Sequence, residues 1–532
     1  MQKMRVIAVA LLLGATFWVG HLDEDSLMRA LWPALVAIGT IVLLHEAVIG
    51  LALGVVAAAL LLCAGDPVKA LRVAIEGHVF PAMQGPWRIG ALVFTLILGS
   101  FAGILERSGG FEAMLRKALG TGNSGEKRLL FGAYGIGLLC FFDGLASSLL
   151  TGRIARPLAD RAGVSRERLS WVVDSTGSPV ACVAFISTWI ATQLSLIDQG
   201  LKSAPFKVEP YAMFFSSVPA NAYCLLTLLL VPLAIGLGYQ PAAMRRFVAY
   251  QPDAPAKTAA ELPSLVSVIV PLAVLVGGIL LSFPLLAGEI GAIFSVGGWT
   301  RAFSSETGPH ALVLGSLAGW IAAMVCFPSK RRHEAAEAAV HGAGSLLPAL
   351  VILIFAWSLG SMFEALGTTR HIAELFQQGI PVAWFPLVIF LLGSSMAFTT
   401  GSSWGTMGLL MPLALPALLS AAQAANLPPE ETRQLAAMVI GAVFGGATLG
   451  DHCSPFSDTT IVSALASGCR TIDHVTSQLP FAAFAALASC VAYVLMALGT
   501  QPALSTAAAA AGLILILILL AKSRRHGHPQ AG

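Results

Sequence analysis

Charged residues are scarce in this chain. Only 11% of its 532 residues are Asp, Glu, Lys or Arg, with 31 Lys and Arg against 28 Asp and Glu. A soluble domain carries about 25% charged residues, so a chain this long could not cover itself with a water-facing surface. The scarcity excludes soluble enzymes, coiled coils, fibres and disordered proteins, and nucleic acid is not expected as a partner.

Paired cysteines and complete catalytic motifs are also missing. The eight cysteines are scattered, mostly inside apolar runs, and form no CxxC pair, so neither disulfides nor a zinc site is expected. The sequence has no phosphate-binding loop with its lysine and no HExxH. These absences argue against an ATP-driven pump and a membrane-embedded enzyme. We therefore predict a protein that is not an enzyme and has no cofactor.

Long apolar runs are what the chain has in abundance. Hydrophobic residues make up 56% of it, and the mean hydropathy is +0.80. Because most runs are about 20 residues long, they predict an all-α polytopic membrane protein with about 12 transmembrane helices. The expected spans are 6–20, 28–44, 47–64, 89–107, 171–198, 211–238, 264–284, 308–327, 345–365, 434–466, 478–499 and 505–521. Two further apolar stretches, 129–152 and 383–415, are interpreted as re-entrant hairpins.

The distribution of basic residues predicts the orientation. With the N-terminus inside, 22 of the 31 Lys and Arg fall in inside segments, as the positive-inside rule requires. We expect a multi-pass protein of the bacterial inner membrane with both termini in the cytoplasm. The lipid bilayer and small ions or an organic solute are its expected partners.

Three motifs recur in the same order, which predicts an internal repeat. ALVFTLILGSFAGILE, from Ala91, resembles ALVILIFAWSLGSMFE, from Ala349; FFDG, from Phe141, resembles FTTG, from Phe398; and DSTGSP, from Asp174, resembles DHCSP, from Asp451. An odd number of crossings between the copies makes the repeats inverted in topology, as in many secondary transporters. The alternative is a duplicated structural unit without a shared site.

The repeat divides the chain into five parts. They are N-terminal spans (1–88), a first repeat (89–238), connecting spans (239–344), a second repeat (345–499), and a last span with a basic tail (500–532). Each repeat is expected to hold one hairpin, at 129–160 and 383–415, and one broken helix, at 171–198 and 434–466.

Two polar breaks lie in the first repeat, where irregular backbone at membrane depth survives only if protein buries it or water lines it. The hairpin contains Asp143, Ser147 and Ser148. An intramembrane carboxylate is a candidate functional group by default. In the broken helix, Gly177 and Pro179 are expected to interrupt the hydrogen-bond ladder. The residues beside that break are Asp174, Ser175, Thr176 and Ser178. The alternatives are an interfacial loop and an ordinary proline kink.

Two more polar breaks lie in the second repeat. The hairpin is uncharged and offers Thr400, Ser402, Ser403 and Thr406, which could hold an anionic or neutral polar group or simply line a packing surface. The broken helix has the densest polar cluster, Asp451, His452, Ser454, Ser457, Asp458 and Thr459, around Pro455. Two carboxylates and a histidine there suggest cation binding and proton handling, with Na⁺ hypothesised at Asp143, Asp174, Asp451 and Asp458.

Other polar residues are ambiguous. Glu106 and Glu364 are matched by the repeat, but they lie near helix ends, where snorkelling to the interface is as good an explanation as function. The pair His45 and Glu46 is expected to mark a short cytoplasmic turn between two spans.

Three distinctive strings lie at or near the polar breaks: GDHCSPFSDTT, DHVTSQLPFA and FFDG…RPLADRAGVSRERLSWVVDSTGSPVA…ISTWI. On these strings the chain resembles the NhaC-type sodium/proton antiporter family, over residues 90–490. The resemblance implies sodium/proton antiport and, by position, a site at Asp143, Asp174, Ser178, Asp451, Ser454 and Asp458. It also implies a homodimer. The family hairpin usually reads FDDYANT, so Gly144 stands where a second acid is usual and Ser147 about where an asparagine is usual.

The sequence therefore favours a secondary transporter, with sodium/proton antiport by alternating access as the leading hypothesis. Na⁺ and H⁺ would compete for buried carboxylates. The missing acid at Gly144 and the uncharged second hairpin leave open the alternative of a Na⁺- or H⁺-coupled transporter of a small organic solute, such as an amino acid or a carboxylate. A channel or scaffold fits the broken helices poorly.

Overall fold

The computed structural model describes residues 2–23, 26–119, 125–248, 264–292, 294–368, 370–371 and 381–526. Within these ranges the chain forms helices and turns, without strands. Part of the predicted inside loop 239–263 and the end of the basic tail lie outside the described residues.

Up to residue 200, the part of the chain that the structure describes contains ten α-helices of six residues or more. They are α1 (Gln2–Val19), α2 (Leu27–Leu44), α3 (Ala47–Leu62), α4 (Pro67–Arg72), α5 (Pro86–Ser108), α6 (Gly110–Leu119), α7 (Glu126–Leu139), α8 (Gly144–Arg161), α9 (Arg166–Val183) and α10 (Thr188–Gly200). After α4 the chain continues through a π-helical stretch, Val73–Val79, and a short turn of helix, Phe80–Ala82.

Thirteen more helices are described after residue 200. They are α11 (Pro210–Ser217), α12 (Ala222–Leu237), α13 (Val266–Leu286), α14 (Val296–Phe303), α15 (Gly308–Cys326), α16 (Arg332–Ser345), α17 (Leu347–Ala365), α18 (Phe385–Thr400), α19 (Ser403–Ala424), α20 (Pro429–Cys453), α21 (Asp458–Ser467), α22 (Thr471–Ala497) and α23 (Pro502–His526). Short 3₁₀ turns join several of them: Val218–Ala220, Met244–Arg246, Ile290–Ala292, Ser329–Arg331 and Val382–Trp384.

The predicted polytopic helical fold is confirmed. Ten helices of the described chain are long and apolar enough to cross a membrane, or up to twelve if each of two bent pairs is one span. Both helices of the second hairpin, Val382–Thr400 and Ser403–Ala424, are among the ten. Their length alone would also allow two full crossings, so re-entrance of this hairpin stays a prediction.

The broken helix expected at 171–198 is present, but its break lies elsewhere than predicted. Helix α9 runs through Gly177 and Pro179 to Val183, and α10 starts at Thr188 with a bend of 43°. A proline removes only one ladder hydrogen bond, and the surrounding packing here keeps the helix going. The break falls where Ser187 accepts a hydrogen bond from the backbone N–H of Ile190, at 3.0 Å, and so starts a new helix. A second bend, of 55°, lies between Pro210–Ala220 and Ala222–Leu237, inside the span predicted at 211–238.

The second broken helix was located correctly. Helix α20 ends at Cys453, the chain is irregular around Pro455, and α21 begins at Asp458. The two hairpins have their tips at Cys140–Asp143, between α7 and α8, and at Gly401–Ser402, between α18 and α19. Each predicted repeat therefore contains one hairpin and one broken helix.

The second helix of each hairpin lies parallel to the second half of the other repeat's broken helix. In the pair α8 and α21, a Cβ on Gly152 would lie 2.6 Å from the Ala466 side chain, eight residues after the first residue of each helix. In the pair α10 and α19, a Cβ on Gly200 would lie 2.7 Å from Leu415, twelve residues after each start.

This pairing makes the repeats inverted. Helix α8 leads away from the centre, α9 returns to it and α10 continues to the opposite side. In the second repeat α19 leads out alongside α10, α20 returns and α21 leads out alongside α8. Hairpin and broken helix thus exchange sides between the repeats, as inverted-topology transporters do.

Candidate functional site

Four helices begin at the centre of the protein, and each has a polar N-cap. Asp143 caps α8, accepting from the N–H of Ala146 at 2.7 Å, and Ser402 caps α19, accepting from Gly405 at 3.0 Å. The broken helices use Ser187 for α10 and Ser457 for α21. Because such residues satisfy the unpaired N–H groups of a first helical turn, the sequence fixes these four starting points locally. Asp143 is the only acid among the four caps.

Contacts between the starting points join them into a ring. The hydroxyl of Thr188, at the start of α10, donates to Asp143 Oδ2 at 2.7 Å, and its N–H donates to the carbonyl of Phe142 at 2.9 Å. The indole rings of Trp189 and Trp404 then join α10 to α19, with centroids 6.1 Å apart.

The other half of the ring joins the second hairpin to α21. A Cβ on Gly401 would lie 2.8 Å from the backbone of Phe456, and Gly401 has φ = 67°, which favours glycine. Val462 of α21 lines the same small cavity as Asp143 and Ala146 of α8, so the start of α21 lies beside the start of α8. The helix starts therefore follow one another in the order α8, α10, α19, α21, and back to α8. Their N–H groups direct four positive dipole ends at this centre.

Asp174 is held by the second repeat although it belongs to the first. It is fully buried, and it accepts hydrogen bonds from Ser463 of α21 at 2.9 Å and from Gln478 of α22 at 2.7 Å. His474 Nε2 lies 3.3 Å from the same carboxylate, and the hydroxyl of Thr460 lies 3.5 Å from it. Asp174 thus ties α9 to α21 and α22.

Asp451 is also buried, and its partners come from the break that follows it. It accepts from the hydroxyls of Ser457 and Thr459, the latter at 2.7 Å. Its neighbour His452 contacts the hydroxyl of Tyr223 through Nδ1 at 2.9 Å, and the His452 carbonyl accepts from Gln478 at 2.9 Å. These bonds fix the geometry of the second break.

Asp458 differs from the other three carboxylates, which are all buried. Asp458 is exposed, at the first residue of α21. Asp143 in turn lines a cavity of about 150 Å³. The carboxylates at the helix starts are therefore the ones that water or an ion can reach, while Asp174 and Asp451 are enclosed by side-chain donors.

Several predicted residues bond within their own helix or hairpin. The hydroxyls of Thr176 and Thr400 donate to carbonyls one turn earlier, at 2.6 and 2.8 Å, and Ser147 donates to the carbonyl of Gly137 at 3.3 Å. Ser454 accepts from the N–H of Phe456 at 3.3 Å, and Ser175 is buried.

Four predicted hydroxyls are buried without a hydrogen-bond partner in the described part of the chain. They are Ser148, Ser178, Ser403 and Thr406. A buried hydroxyl normally finds a protein, water or ion partner. Ser148 and Ser178 belong to α8 and α9, and Ser403 and Thr406 to α19, so each repeat contributes two such oxygens.

Sequence reasoning assigned no role to several residues of this site. Thr188 and Trp189 lie in the ISTWI string, and His474 and Gln478 lie in DHVTSQ, at i and i+4 on one helical face. That spacing was the available signal. The pair His45 and Glu46 does form a turn, but it lies beside the second break, where the His45 ring stacks on Phe456 at 4.3 Å.

The four carboxylates do not form one multi-carboxylate metal site. No group of three or more His, Cys, Asp or Glu side chains suited to a metal ion occurs among the residues that the structure describes. Any cation here would need hydroxyl and carbonyl oxygens besides one or two carboxylates. Such oxygens are the ligands that hard cations prefer.

Comparisons with known proteins agree with this architecture. The chain is 30% identical over 493 residues to an uncharacterised protein of Haemophilus influenzae, covering 89% of this chain and 92% of the relative. It is 29% identical over 143 residues to the malate-2H⁺/Na⁺-lactate antiporter of Bacillus subtilis, covering 27% and 28%. Its fold resembles the YdaH transporter of Alcanivorax borkumensis, with a TM-score of 0.52 and 16% identity, covering 82% of this chain and 90% of that one.

The model of the Na⁺/H⁺ antiporter family matches residues 180–498, which include the first helix break, the second hairpin and the second broken helix. The matched region contains three of the four helix starts and the carboxylates Asp451 and Asp458. With a match over more than half of its length and the same inverted, broken-helix architecture that its motifs predict, the chain belongs to the Na⁺/H⁺ antiporter family.

Proposed function

We propose that the protein exchanges Na⁺ for H⁺ by alternating access, with Asp143 and Asp458 as the groups for which the two ions compete. The observation that carries this proposal is the position of these carboxylates at the starts of two adjacent, parallel half-helices, α8 and α21. Asp143 is buried, and an ionised carboxylate removed from water is costly unless a cation or a proton neutralises it. Asp458, exposed at the neighbouring helix start, would supply the second carboxylate. Competition for the same carboxylate is therefore itself an exchange mechanism.

The surroundings offer oxygens for a sodium ion. The buried hydroxyls of Ser148 on α8 and Ser178 on α9 lack partners in the described chain. Thr188 already donates to Asp143 and would hold its second oxygen in place. Sodium would take one or two carboxylates with these neutral oxygens.

Asp174 and Asp451 have a different role in this proposal. Their oxygens accept from several side chains, so each connects elements that must move together. Asp174 would couple the position of α21 to the first repeat. One repeat would rock against the other around the ring of helix starts. We place the protein in the inner membrane of a bacterial cell with both termini in the cytoplasm; a homodimer is an expectation from the resemblance.

The test uses purified protein in liposomes with a trapped pH dye and an imposed pH gradient, with Na⁺, Li⁺ and K⁺ added in turn. Asp458→Asn should slow Na⁺-dependent dequenching about 100-fold, because a neutral amide cannot exchange a cation for a proton. Asp473→Asn is the matched control, since Asp473 pairs with Arg470 at the start of α22 and should change the rate by no more than about twofold. Wild-type exchange by Asp458→Asn would refute the proposal.

A second candidate function is coupled transport of a small organic carboxylate. The opposite half of the ring, α10 and α19, has serine caps, a Trp189–Trp404 contact and two unpartnered buried hydroxyls, Ser403 and Thr406. Helix N-termini with neutral donors can hold a carboxylate group. A relative that shares about a quarter of the chain is named as a malate/lactate antiporter.

A thermal-shift screen separates the two candidates. Amino acids and short carboxylates would be added to the detergent-solubilised protein with and without Na⁺. Stabilisation by a carboxylate that Ser403→Ala weakens would favour the organic solute. Stabilisation by Na⁺ alone, insensitive to Ser403→Ala, would favour plain cation exchange.

A further inference from the structure

Two cavities join Asp143 to one face of the protein. The outer cavity, which we call the vestibule, has a volume of about 590 Å³ and is lined by charged side chains of α5, α6, α8 and the segment around α16. The inner cavity, of about 150 Å³, is lined by Asp143 and mostly small or apolar residues. The two share four lining residues, Gly103, Glu106, Leu149 and His341, which form a neck.

One face of α8 lines both cavities in sequence. Arg153 faces the vestibule, Leu149 lies at the neck, and Ala146 lies beside Asp143 in the inner cavity. These positions are three to four residues apart, which places them on one helical stripe. Ala146 and Leu149 are partly exposed, whereas Ser147 and Ser148 between them are buried. At 1.5 Å per residue, the stripe from Arg153 to Asp143 is about 15 Å long.

Helices α5 and α16 form the opposite wall. They pack closely because Gly103 has no side chain, and the carbonyl of Ala338 occupies the space that a Cβ would need. Glu106 follows Gly103 by one turn and His341 follows Ala338 by three residues, so both side chains lie at the neck. The passage is thus narrow where α5 and α16 cross and carries a carboxylate at its entrance.

The charges around the vestibule leave Glu106 as the accessible carboxylate of the neck. Arg107 and Arg331 both contact Glu334, at 2.7 and 2.6 Å. Glu106 pairs with Arg153 at 3.3 Å, but the Arg153 side chain is 63% exposed. Such a solvent-exposed ion pair is weak, so a cation from the vestibule can replace the arginine at this carboxylate.

We propose that the passage between α5, α8 and α16 is the route by which the cation and the proton reach Asp143, and that Glu106 at its neck is an entry site for the cation. The proposal rests on Na⁺/H⁺ exchange at Asp143 and Asp458, and it adds the route and a residue to that reaction. The neck is cytoplasmic, because segments 106–128, 153–170 and 328–343 carry the basic residues that predict the inside face.

The repeat supplies a matched control for Glu106. Glu364 is its counterpart at the end of α17, but it is exposed and lines neither cavity. Removing a charge from a cavity entrance lowers the local concentration of counter-ions. Glu106→Gln should therefore raise the Na⁺ concentration for half-maximal exchange about fivefold, without loss of maximal rate. Glu364→Gln should leave it within about twofold of the wild type.

A labelling experiment tests the route without any need for transport. Leu149→Cys and Ala146→Cys would be exposed in membrane vesicles of known sidedness to a membrane-impermeant, positively charged methanethiosulfonate. Labelling would be read by mass spectrometry of the peptide carrying that position, so the native cysteines do not interfere. Ala155→Cys, on the same helix but buried and absent from both cavities, is the control.

Labelling of positions 149 and 146 from the cytoplasmic side only, with position 155 unlabelled, is the expected result. No labelling at 149 from either side, or equal labelling from both, would overturn the route. Equal effects of Glu106→Gln and Glu364→Gln would overturn the entry site. If the cysteine variants label as expected but the wild type does not exchange Na⁺ for H⁺, the exchange proposal fails while the passage stands.

Discussion

The two halves of the ring of helix starts have the same geometry but different chemistry. The α8 and α21 half begins with Asp143 and Asp458, whereas the α10 and α19 half begins with serine caps and hydroxyls. All four starts point positive dipole ends at the centre. Symmetry thus supplies the scaffold, and the placement of acids on one half makes that half the one suited to cations.

The halves also differ in how tightly their hairpin tips are packed. Gly401 has a positive φ and lies against the backbone of Phe456. Gly144 is the first residue of α8, and a Cβ placed on it would lie 3.3 Å from the Trp189 ring. The second tip is therefore fixed by backbone contact and the first by a hydrogen bond between Asp143 and Thr188. A proton or a cation bound to Asp143 would alter this hydrogen bond, which is consistent with ion exchange in the α8 and α21 half.

The largest expected effect comes from exchanging the acid cap for its amide. Asp143→Asn keeps a good N-cap, so the fold should survive, but it removes the charge and should slow Na⁺-dependent dequenching about 100-fold. Ser402→Asn makes the matched change at the other hairpin tip and should slow exchange by no more than about threefold. Equal losses in the two variants would mean that the halves are functionally equivalent and that the assignment of the cation to one half is wrong.

The second comparison concerns the hairpin glycines. Gly401→Ala forces a Cβ to within 2.8 Å of the Phe456 backbone in a left-handed conformation, so it should cost about 1–3 kcal/mol of stability and slow exchange about tenfold. Gly144→Ala meets only the edge of the Trp189 ring and should be milder, with less than about 1.5 kcal/mol. Thermal unfolding in detergent, read beside the exchange rate, measures both. A larger loss of stability in Gly144→Ala than in Gly401→Ala would mean that the first hairpin tip, and not the second, is the more tightly packed.

The unpartnered hydroxyls give a smaller and more local comparison. Ser178→Ala should raise the Na⁺ concentration for half-maximal exchange about fivefold, because it removes an unpartnered buried oxygen from α9, whose Gly177 packs against α8. Ser403→Ala removes the corresponding type of oxygen from the other half and should change that concentration by no more than about twofold. Sodium titrations of the exchange rate in liposomes measure both values. A stronger effect of Ser403→Ala would move the sodium ion to the α10 and α19 half.

Much of this architecture was readable from the sequence because its signals are local. The polytopic class followed from long apolar runs, and the hairpins and broken helices followed from polar residues inside those runs and from the repeat. The residues that close the ring were less accessible. Gln478 and His474 reach Asp174 from about 300 residues away, and neither has a partner nearby in sequence that would reveal the contact.

The aligned motifs also misled in one respect. DSTGSP and DHCSP align in sequence, yet Asp451 lies two residues before its helix ends and Asp174 lies nine residues before the end of α9. A proline predicts a weak point in a helix but not whether packing will keep the helix continuous. The cap that starts the next helix, Ser187, was the more informative residue.

The smallest expected effect tests that difference between kink and cap. Ser187→Ala removes the acceptor for the Ile190 N–H and should cost about 1 kcal/mol of stability, lowering the exchange rate a few-fold because Thr188 next to it positions Asp143. Pro179→Ala restores a ladder donor in a helix that is already continuous, so exchange should stay within about twofold of the wild type. Thermal unfolding in detergent and the exchange rate in liposomes would be measured for both variants. A larger loss of exchange with Pro179→Ala than with Ser187→Ala would mean that the functionally important break lies at DSTGSP. Asp174, rather than Asp143, would then be the carboxylate at that break.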